Sequence, residues 1–167
     1  MGWWEDLGRR LRGRPDIELP DLPPAPTGED ILASVDRVRA QVAGTVPPAV
    51  GARVERIAST VADMVPRLDR LGMGSQQAHT VVATATSYLP EAVGAYLRLP
   101  RSFADTRVVA DGKTSLMLLV DQLDLLGSTL TQISDAVSRQ DANALIAHGA
   151  FLEQKFTSSG LTQPGTS

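Results

Sequence analysis

Apolar residues recur at intervals of three and four along most of this chain, which is the spacing of one face of an α-helix. The longest such stretch, residues 76–100, has Pro90 near its middle. Because proline lacks the backbone N–H and crowds the preceding turn, the helix either kinks at Pro90 or restarts there with Ser87 as its cap. The stripe keeps its phase across Pro90, which favours a kinked central helix. Its residues are Val81, Val82, Ala85, Leu89, Val93 and Leu97.

Two shorter helices are predicted before this stretch. The first begins at a sequence that resembles a capping box, formed by Thr27 with Asp30,. The second opens at two prolines, residues 47–48, and runs to about residue 71, with a kink or an early break expected at Pro66,. The two stripes are Ile31, Val35, Val38 and Val42, and then Val50, Val54, Ile57, Val61, Met64 or Val65, and Leu68.

Two further helices are predicted after residue 114. A leucine-rich helix beginning near Thr114 carries a long stripe that Leu118 and Leu125 widen, so we expect it to be buried on two sides,. Asp141 is expected to cap a fifth helix that ends near Gly160,. The stripe of the fourth helix is Leu116, Leu119, Val120, Leu123, Leu126, Leu130, Ile133 and Val137, and the inward residues of the fifth are Leu145, Leu152 and Phe156.

No strand alternation is sustained anywhere in the sequence. Five helices joined by short turns therefore predict an all-α fold, an antiparallel helical bundle of four to five helices with a kinked central helix. This bundle is expected to occupy residues 28–160. An amphipathic arm and a linker precede it, and a polar tail, residues 161–167, follows it.

The first fourteen residues are predicted to form the amphipathic arm. Its apolar face consists of Trp3, Trp4, Leu7 and Leu11, and its basic residues are Arg9, Arg10, Arg12 and Arg14. Four arginines against Glu5 and Asp6 leave a local charge of +2 in a chain of net charge −3. This pattern is typical of an interfacial helix on an anionic membrane, and it also suits an arm that docks on a partner. The alternative is an arm that docks its tryptophans on its own bundle or on a sister subunit. Residues 15–27, with five prolines, predict an extended linker,.

Composition and charge narrow the function classes. With 167 residues and 43% apolar content, the chain fits one domain of ordinary size with appendages,. Its net charge of −3 argues against nucleic-acid binding, and the absence of cysteine excludes disulfides and thiolate zinc sites,. No apolar run approaches the roughly 18 residues of a membrane span, and the first residues lack a signal-peptide core. We therefore expect a cytoplasmic protein, which is either free or peripheral at the inner face of the membrane.

The sequence contains no group of residues fit for catalysis or for binding a metal or cofactor. His79 and His148 each stand alone in a predicted helix. Asp121 and Asp124 share a helix face but lack the Glu-x-x-His pairs of a di-iron bundle. Residues 111–114, DGKT, end like a P-loop but lack the earlier glycine and the buried strand of that motif,. No catalytic residue, metal ligand or cofactor is predicted.

The two tyrosines of the chain, Tyr88 and Tyr96, lie eight residues apart on the central helix and roughly on one side. They either form a contact surface for a partner or line the rim of the core with their hydroxyls in water. Residues 88–91, YLPE, followed by residues 96–100, YLRLP, resemble a segment of the XpaC-like bacterial proteins. The similarity extends over residues 76–161.

This resemblance implies a helical protein with a stress-related, envelope-associated role, because such proteins resemble companions of tellurite or toxic-anion resistance proteins. The family is named for hydrolysis of a bromo-chloro-indolyl phosphate, which implies phosphatase activity. The chain offers no phosphoryl nucleophile with a base or a metal site beside it, so that activity is not carried over.

These features together favour a non-enzymatic helical interaction or scaffold module. Its arm would tether it to an anionic membrane surface or to a partner protein. The expected partners are another protein or further copies of this chain, and nucleic acid is not expected. Two alternatives stay open: a phosphate-ester hydrolase, as the name of the resembled family implies, and a carrier of a small molecule within the bundle.

Overall fold

In the computed structural model of this chain, the described residues are 23–72 and 74–160. The predicted arm, the first part of the linker and the polar tail lie outside the described residues. The assignment of the eight arm residues to membrane or partner binding therefore stays a prediction.

The first two helices form where their apolar stripes predict them. Helix α1 spans Gly28–Val42 and helix α2 spans Pro48–Met64. The predicted capping box is confirmed: Thr27 Oγ1 accepts from the Asp30 N–H at 3.2 Å, and the Asp30 carboxylate accepts from the Thr27 N–H at 2.8 Å. The backbone and side-chain bonds from Thr27 lower the pKa of the Asp30 carboxyl group. The cap is therefore complete at neutral pH and weakens as the pH falls through that lowered pKa.

Helix α2 ends early at the predicted place. Pro66 has no N–H to add to the helical ladder, and the backbone tightens into a 3-10 turn over Val65–Arg67,. One more helical turn, α3 (Leu68–Leu71), follows it. Gly72 ends this turn with a positive φ of 82°, a conformation that glycine adopts without strain,.

The central stretch is one continuous helical rod that passes through Pro90. It consists of α4 (Gln76–Ala83), a π turn (Thr84–Tyr88) and α5 (Leu89–Leu97). In the π turn the Leu89 N–H reaches back five residues to the Thr84 carbonyl. The wider turn changes the backbone hydrogen bonds from an i to i−4 pattern to an i to i−5 pattern just before the proline. Without this change, the missing N–H of Pro90 would interrupt the helical hydrogen bonds. The helix therefore continues across Pro90, and a restart capped by Ser87 is excluded.

A buried hydrogen bond ties this π turn to α1. The Ser34 hydroxyl donates to the Ala85 carbonyl at 2.8 Å, and Ser34 is buried. Five residues after Ala85 lies Pro90, which has no N–H to give to that carbonyl,. Ser34 therefore supplies the donor that the proline lacks, as a buried polar group requires.

A short helix and a small hairpin connect the central rod to the last helix. Helix α6 spans Arg101–Thr106, and strands β1 (Val108–Ala110) and β2 (Lys113–Thr114) pair in antiparallel fashion. Asp111 and Gly112 form the turn with positive φ values of 47° and 73°, as a two-residue hairpin favours,. The segment that ends like a P-loop is therefore a hairpin turn. These strands are too short for the sequence pattern to have indicated them.

A single helix, α7 (Ser115–Ser159), replaces the predicted fourth and fifth helices. Thr114 caps it by accepting from the Met117 N–H at 3.2 Å. The predicted cap at Asp141 is wrong, because no glycine or proline interrupts residues 138–143 and the helix continues through them,. No helix within the described ranges, α7 included, is long and apolar enough to cross a membrane.

Four helical rods form the predicted all-α bundle: α1, α2, α4 with α5, and the first half of α7. Helix α2 packs on α1 and α7, and α5 also packs on α1 and α7, so the four rods close a ring,. Their apolar stripes meet in one core, with Val35, Ile57, Leu89 and Leu123 almost fully buried. The stripes predicted for these four rods are confirmed.

Rods that are consecutive in sequence run antiparallel, whereas α2 and α7 run parallel. Three side-chain contacts join α2 and α3 to α7, and each joins residues that are 71 positions apart. They are Arg53 with Asp124, Arg67 with Ser138, and Arg70 with Asp141. The central rod packs against α1 instead of α2, which leaves that side of α2 to α7.

Candidate interaction surface

The second half of α7 projects past the end of the bundle. Val137 is the last buried residue of α7, and every residue from 138 to 160 is exposed. Asp141 still reaches the bundle, with its carboxylate 3.5 Å from the Arg70 guanidinium. We call residues 142–159 the distal segment; at 1.5 Å per residue it extends about 27 Å.

The distal segment is apolar around most of its circumference. Its central run, ALIAHGAFL (residues 144–152), contains one polar side chain, His148. The exposed fractions of its large apolar residues are 72% for Leu145, 69% for Ile146, 54% for Phe151, 37% for Leu152 and 71% for Phe156. At roughly 200 Å² per large side chain, these exposures amount to on the order of 600 Å² of apolar surface. This is the upper end for the largest patch on a typical monomer, roughly 300–600 Å².

The predicted inward orientation of Leu145, Leu152 and Phe156 is therefore wrong. Their spacing places them on one helix face, but the rods of the bundle end before that face begins, so nothing in the described part of the chain packs against it. The expected burial of Leu125 is also wrong, since it lies on the outer side of α7 and is 67% exposed. An apolar stripe indicates which side of a helix avoids water, and the chain must still supply a surface to cover it.

One side of the distal segment is flanked by polar groups of its own helix, and another side is not. Phe151 is flanked by its own helix: the His148 ring is stacked on it with 6.4 Å between centroids, and Lys155 Nζ lies 5.7 Å from its centroid,. The other side has no such flanking groups among the described residues. We call it the open face, and it consists of Leu145, Gly149, Leu152 and Phe156.

The described chain begins beside the base of the distal segment. Gly28 lies so close to the end of α2 that a Cβ there would be 3.0 Å from Val65 Cγ1. Arg67, two residues further on, donates to Ser138 Oγ at 3.1 Å. The residues that precede α1 therefore leave the bundle at the same end from which the distal segment projects.

The two tyrosines do not form one surface. Tyr88 is half exposed, whereas Tyr96 is buried, with 3% exposed. The Tyr96 hydroxyl donates to the Asp105 carboxylate at 2.8 Å, and the Arg101 guanidinium contacts the hydroxyl and lies 4.9 Å from the ring centroid. Burial and the bond to Asp105 raise the pKa of Tyr96. Tyr96 thus anchors α6, and a partner contact stays a prediction for Tyr88 alone.

The two aspartates that share a face of α7 are held in ion pairs. Asp124 pairs with Arg53 at 2.8 Å, and Asp121 pairs with Lys113. All four side chains are partly in water, where such pairs contribute roughly 0–1 kcal/mol. Within residues 23–72 and 74–160, no three His, Cys, Asp or Glu side chains are grouped so that they could hold a metal ion.

An open apolar pocket of about 590 Å³ lies at the end of the bundle from which the distal segment projects. Residues 25–27 form part of its wall, so the linker passes along it. The volume falls within the range of small-molecule sites, roughly 300–1,000 Å³. Its apolar lining includes Ile31, Val65, Leu68 and Val82, and its polar lining residues are Thr27, Asp69 and His79.

The amino-acid sequence itself contains a signal for the exposure of the distal segment. A helix that packs by one face needs apolar residues on that face only, whereas residues 144–152 are apolar almost all round,. Ile146 and Phe151, which lie off the predicted stripe, carry this signal. A run of this kind indicates a helix that is covered on more than one side.

The proposed relation of residues 76–161 to XpaC-like proteins stays a prediction. Comparison with protein-family models, with curated proteins and with solved structures found no match for this chain.

Proposed function

We propose that this chain is a non-enzymatic interaction module that docks a partner protein on its distal segment and attaches to an anionic membrane surface through its arm. The observation that carries the proposal is the exposure of the open face on a helix that contributes nothing to the core beyond Val137. Together, the five large apolar side chains of the distal segment expose on the order of 600 Å²,, which is close to the roughly 800 Å² that each partner contributes to a standard interface.

The distal segment is suited to docking because it is already helical before a partner arrives. An isolated helix of this length is marginally stable in water, but here the packed first half of α7 nucleates it. A preformed helix loses less conformational freedom on binding than a segment that folds at that moment. A helix that lays its apolar face into a groove of a partner is a common recognition mode, read as anchors spaced by three, four and seven residues. Leu145, Leu152 and Phe156 have this spacing.

The arm supports the second part of the proposal. Tryptophans beside four arginines favour the interface of an anionic membrane, where each basic residue contributes about 1 kcal/mol near the surface. The proline-rich linker would hold the bundle away from the membrane, with the distal segment free to meet its partner. Such an assembly is consistent with the envelope-associated role that the XpaC-like resemblance implies.

Site-specific photo-crosslinking in the native host tests the docking surface. A photoreactive amino acid at position 145, on the open face, is expected to give a discrete crosslinked protein. The same group at position 125 is the matched control, because Leu125 is equally exposed on the same helix but lies beside the bundle. Crosslinks that are equal at the two positions, or absent from position 145, would contradict a docking role for the distal segment.

Small-molecule carriage is a second candidate function, favoured by the pocket beside α1 and α2. Indole is a suitable apolar probe, and its binding should shift the amide NMR signals of Ile31, Val65 and Ala78, which line the pocket. The substitution Val82→Phe is expected to fill the pocket and remove these shifts while the remaining spectrum stays folded. Shifts that spread over the distal segment instead would exclude this function.

A further inference from the structure

We infer that, when the chain is alone, its own arm (residues 1–14) covers the open face of the distal segment. The inference deepens the proposed function and rests on it in one respect, since it describes how the docking surface would be regulated. A partner or a membrane would then compete with an internal occupant.

The position at which the described chain begins supports this occupant. The residues before α1 leave the bundle beside Val65, and the neighbouring Arg67 contacts α7 at Ser138, just before the distal segment. The part of the linker that precedes the described residues, 15–22, would span about 25 Å in an extended, proline-rich conformation,. The distal segment extends about 27 Å, so a linker of this length brings the arm to the open face.

Another exposed apolar surface among the described residues lies at the far end of the bundle. Phe103, Val108, Val109 and Met117 are exposed there, around the hairpin and the start of α7. Along α7, Met117 is separated from Asp141 by about 36 Å. The open face is therefore nearer than the hairpin surface to the point where the linker joins the body. The apolar pocket at that point is nearer still, but residues 25–27 of the linker already form part of its wall.

The two surfaces also match in chemistry. The apolar face predicted for the arm carries Trp3, Trp4, Leu7 and Leu11, and the open face offers two leucines and a phenylalanine around Gly149. The arm has a local charge of +2, from four arginines against Glu5 and Asp6. Within the distal segment Glu153 is balanced by Lys155, and Asp141 at its base is paired with Arg70, so the match is one of apolar faces.

Attachment to the same chain favours the arm over a second copy. A segment on a short linker meets its site at an effective concentration on the order of 1 mM. A second copy of the chain at micromolar concentration cannot compete with that unless its affinity is much higher. The arm therefore occupies the open face first, and a pair of chains forms only after the arm has left.

This arrangement couples the two halves of the proposed function. When the arm transfers to an anionic membrane, the open face becomes free for its partner. In the chain alone, only the fraction with a released arm is competent to bind the membrane, so the apparent affinity for lipid is reduced by that fraction. Substitutions on the open face release the arm and should therefore strengthen membrane binding.

Intrinsic fluorescence of the full chain tests the docking directly, because Trp3 and Trp4 are its only tryptophans. We expect blue-shifted emission and slow iodide quenching relative to free tryptophan amide. The double variant Leu145→Gln, Phe156→Gln should shift the emission to the red and raise the quenching constant several-fold. Glutamine keeps the helix propensity of the segment, and both positions are exposed, so the bundle stays folded. The control variant Leu125→Gln should behave as the wild type.

Each alternative result has a defined meaning. Emission like that of free tryptophan amide in the wild type, or emission that the double variant leaves unchanged, would overturn the inference. A blue shift that is lost on dilution would overturn the inference as well, because it would show that the arm binds the open face of a second copy of the chain.

Vesicles of phosphatidylserine and phosphatidylcholine supply the second readout. The double variant should bind them several-fold more tightly than the wild type and the Leu125→Gln control. Equal affinities would overturn the coupling. Failure of all three proteins to bind vesicles would contradict the membrane part of the proposed function, whereas the fluorescence result would still decide where the arm lies.

Discussion

Replacing Leu130 with alanine is expected to lower the free energy of unfolding by roughly 2–5 kcal/mol, the usual cost of emptying a closely packed core site. Leu130 is fully buried in the core of the bundle, at the inner side of α7. The same substitution at Leu145 is expected to cost much less, because no described rod packs against it and only its contact with the arm is lost; without that contact the change is less than about 0.5 kcal/mol, as at other exposed sites. The two leucines lie in one helix, so the change in helix propensity is nearly the same at both and cancels in the comparison.

Urea unfolding followed by circular dichroism measures both variants. The midpoint should fall for Leu130→Ala and move much less for Leu145→Ala, with similar slopes. An equal loss in the two variants would show that the distal segment is packed in solution. If the arm covers the open face, Leu145→Ala loses one apolar contact with the arm and its free energy of unfolding falls slightly. In chains that lack residues 1–14, Leu145→Ala and the unsubstituted protein should then have the same free energy of unfolding.

Replacing Tyr96 with phenylalanine is expected to lower the free energy of unfolding by roughly 1–3 kcal/mol, because the half-buried Asp105 carboxylate then loses its donor. The phenyl ring preserves the packing and the contact with the Arg101 guanidinium, so the hydrogen bonds are what the substitution removes. Tyr88→Phe is the matched control, since Tyr88 is half exposed on the same rod. We expect it to leave the stability unchanged.

The pH dependence of this difference has a defined sign. Burial, and the bond to Asp105, raise the pKa of Tyr96 above the value of about 10 for a free tyrosine,. A raised pKa favours the neutral hydroxyl in the folded state, so its contribution is complete below pH 10 and is lost as the pH rises through the folded-state pKa. The stability gap between wild type and Tyr96→Phe should therefore be constant at neutral pH and narrow in strong alkali. A gap that widens with pH would contradict the assigned hydrogen bond.

The division of α7 into two halves makes the proposed function accessible to experiment. Its first half carries the core residues Leu119, Leu123, Leu130 and Val137, and its second half carries the open face. Substitutions at Leu145 or Phe156 therefore alter the candidate surface without emptying the core. In many helical proteins the two roles share the same helix face, and a loss of binding there is hard to separate from a loss of folding.

The amino-acid sequence by itself determined the local features of this fold. Each depends on residues close in sequence: the capping box of Thr27 and Asp30, the break at Pro66, and the stripes of the four packed rods. Caps and breaks follow from the backbone donors that a residue adds or removes, and stripes follow from the 3.6-residue period. No knowledge of distant residues is needed for any of them. The π turn before Pro90 lies at the limit of this reasoning, since Ser34 of another helix supplies its missing donor.

Only the tertiary structure decided which surfaces the apolar stripes meet. The stripe through Leu123 and Leu130 and the spacing of Leu145 and Leu152 look alike in sequence, yet one is buried and the other exposed. The difference arises because α2 and α7 run parallel with a fixed offset. As a result α2 and α3 end beside Asp141, and no rod in the described part of the chain lies beside residues 142–159. Likewise Tyr96 is buried by α6, while Tyr88 on the same rod is not. The spacing of apolar residues indicates which face of a helix avoids water. Burial of that face requires a second surface, and the position of that surface depends on the packing of the whole chain.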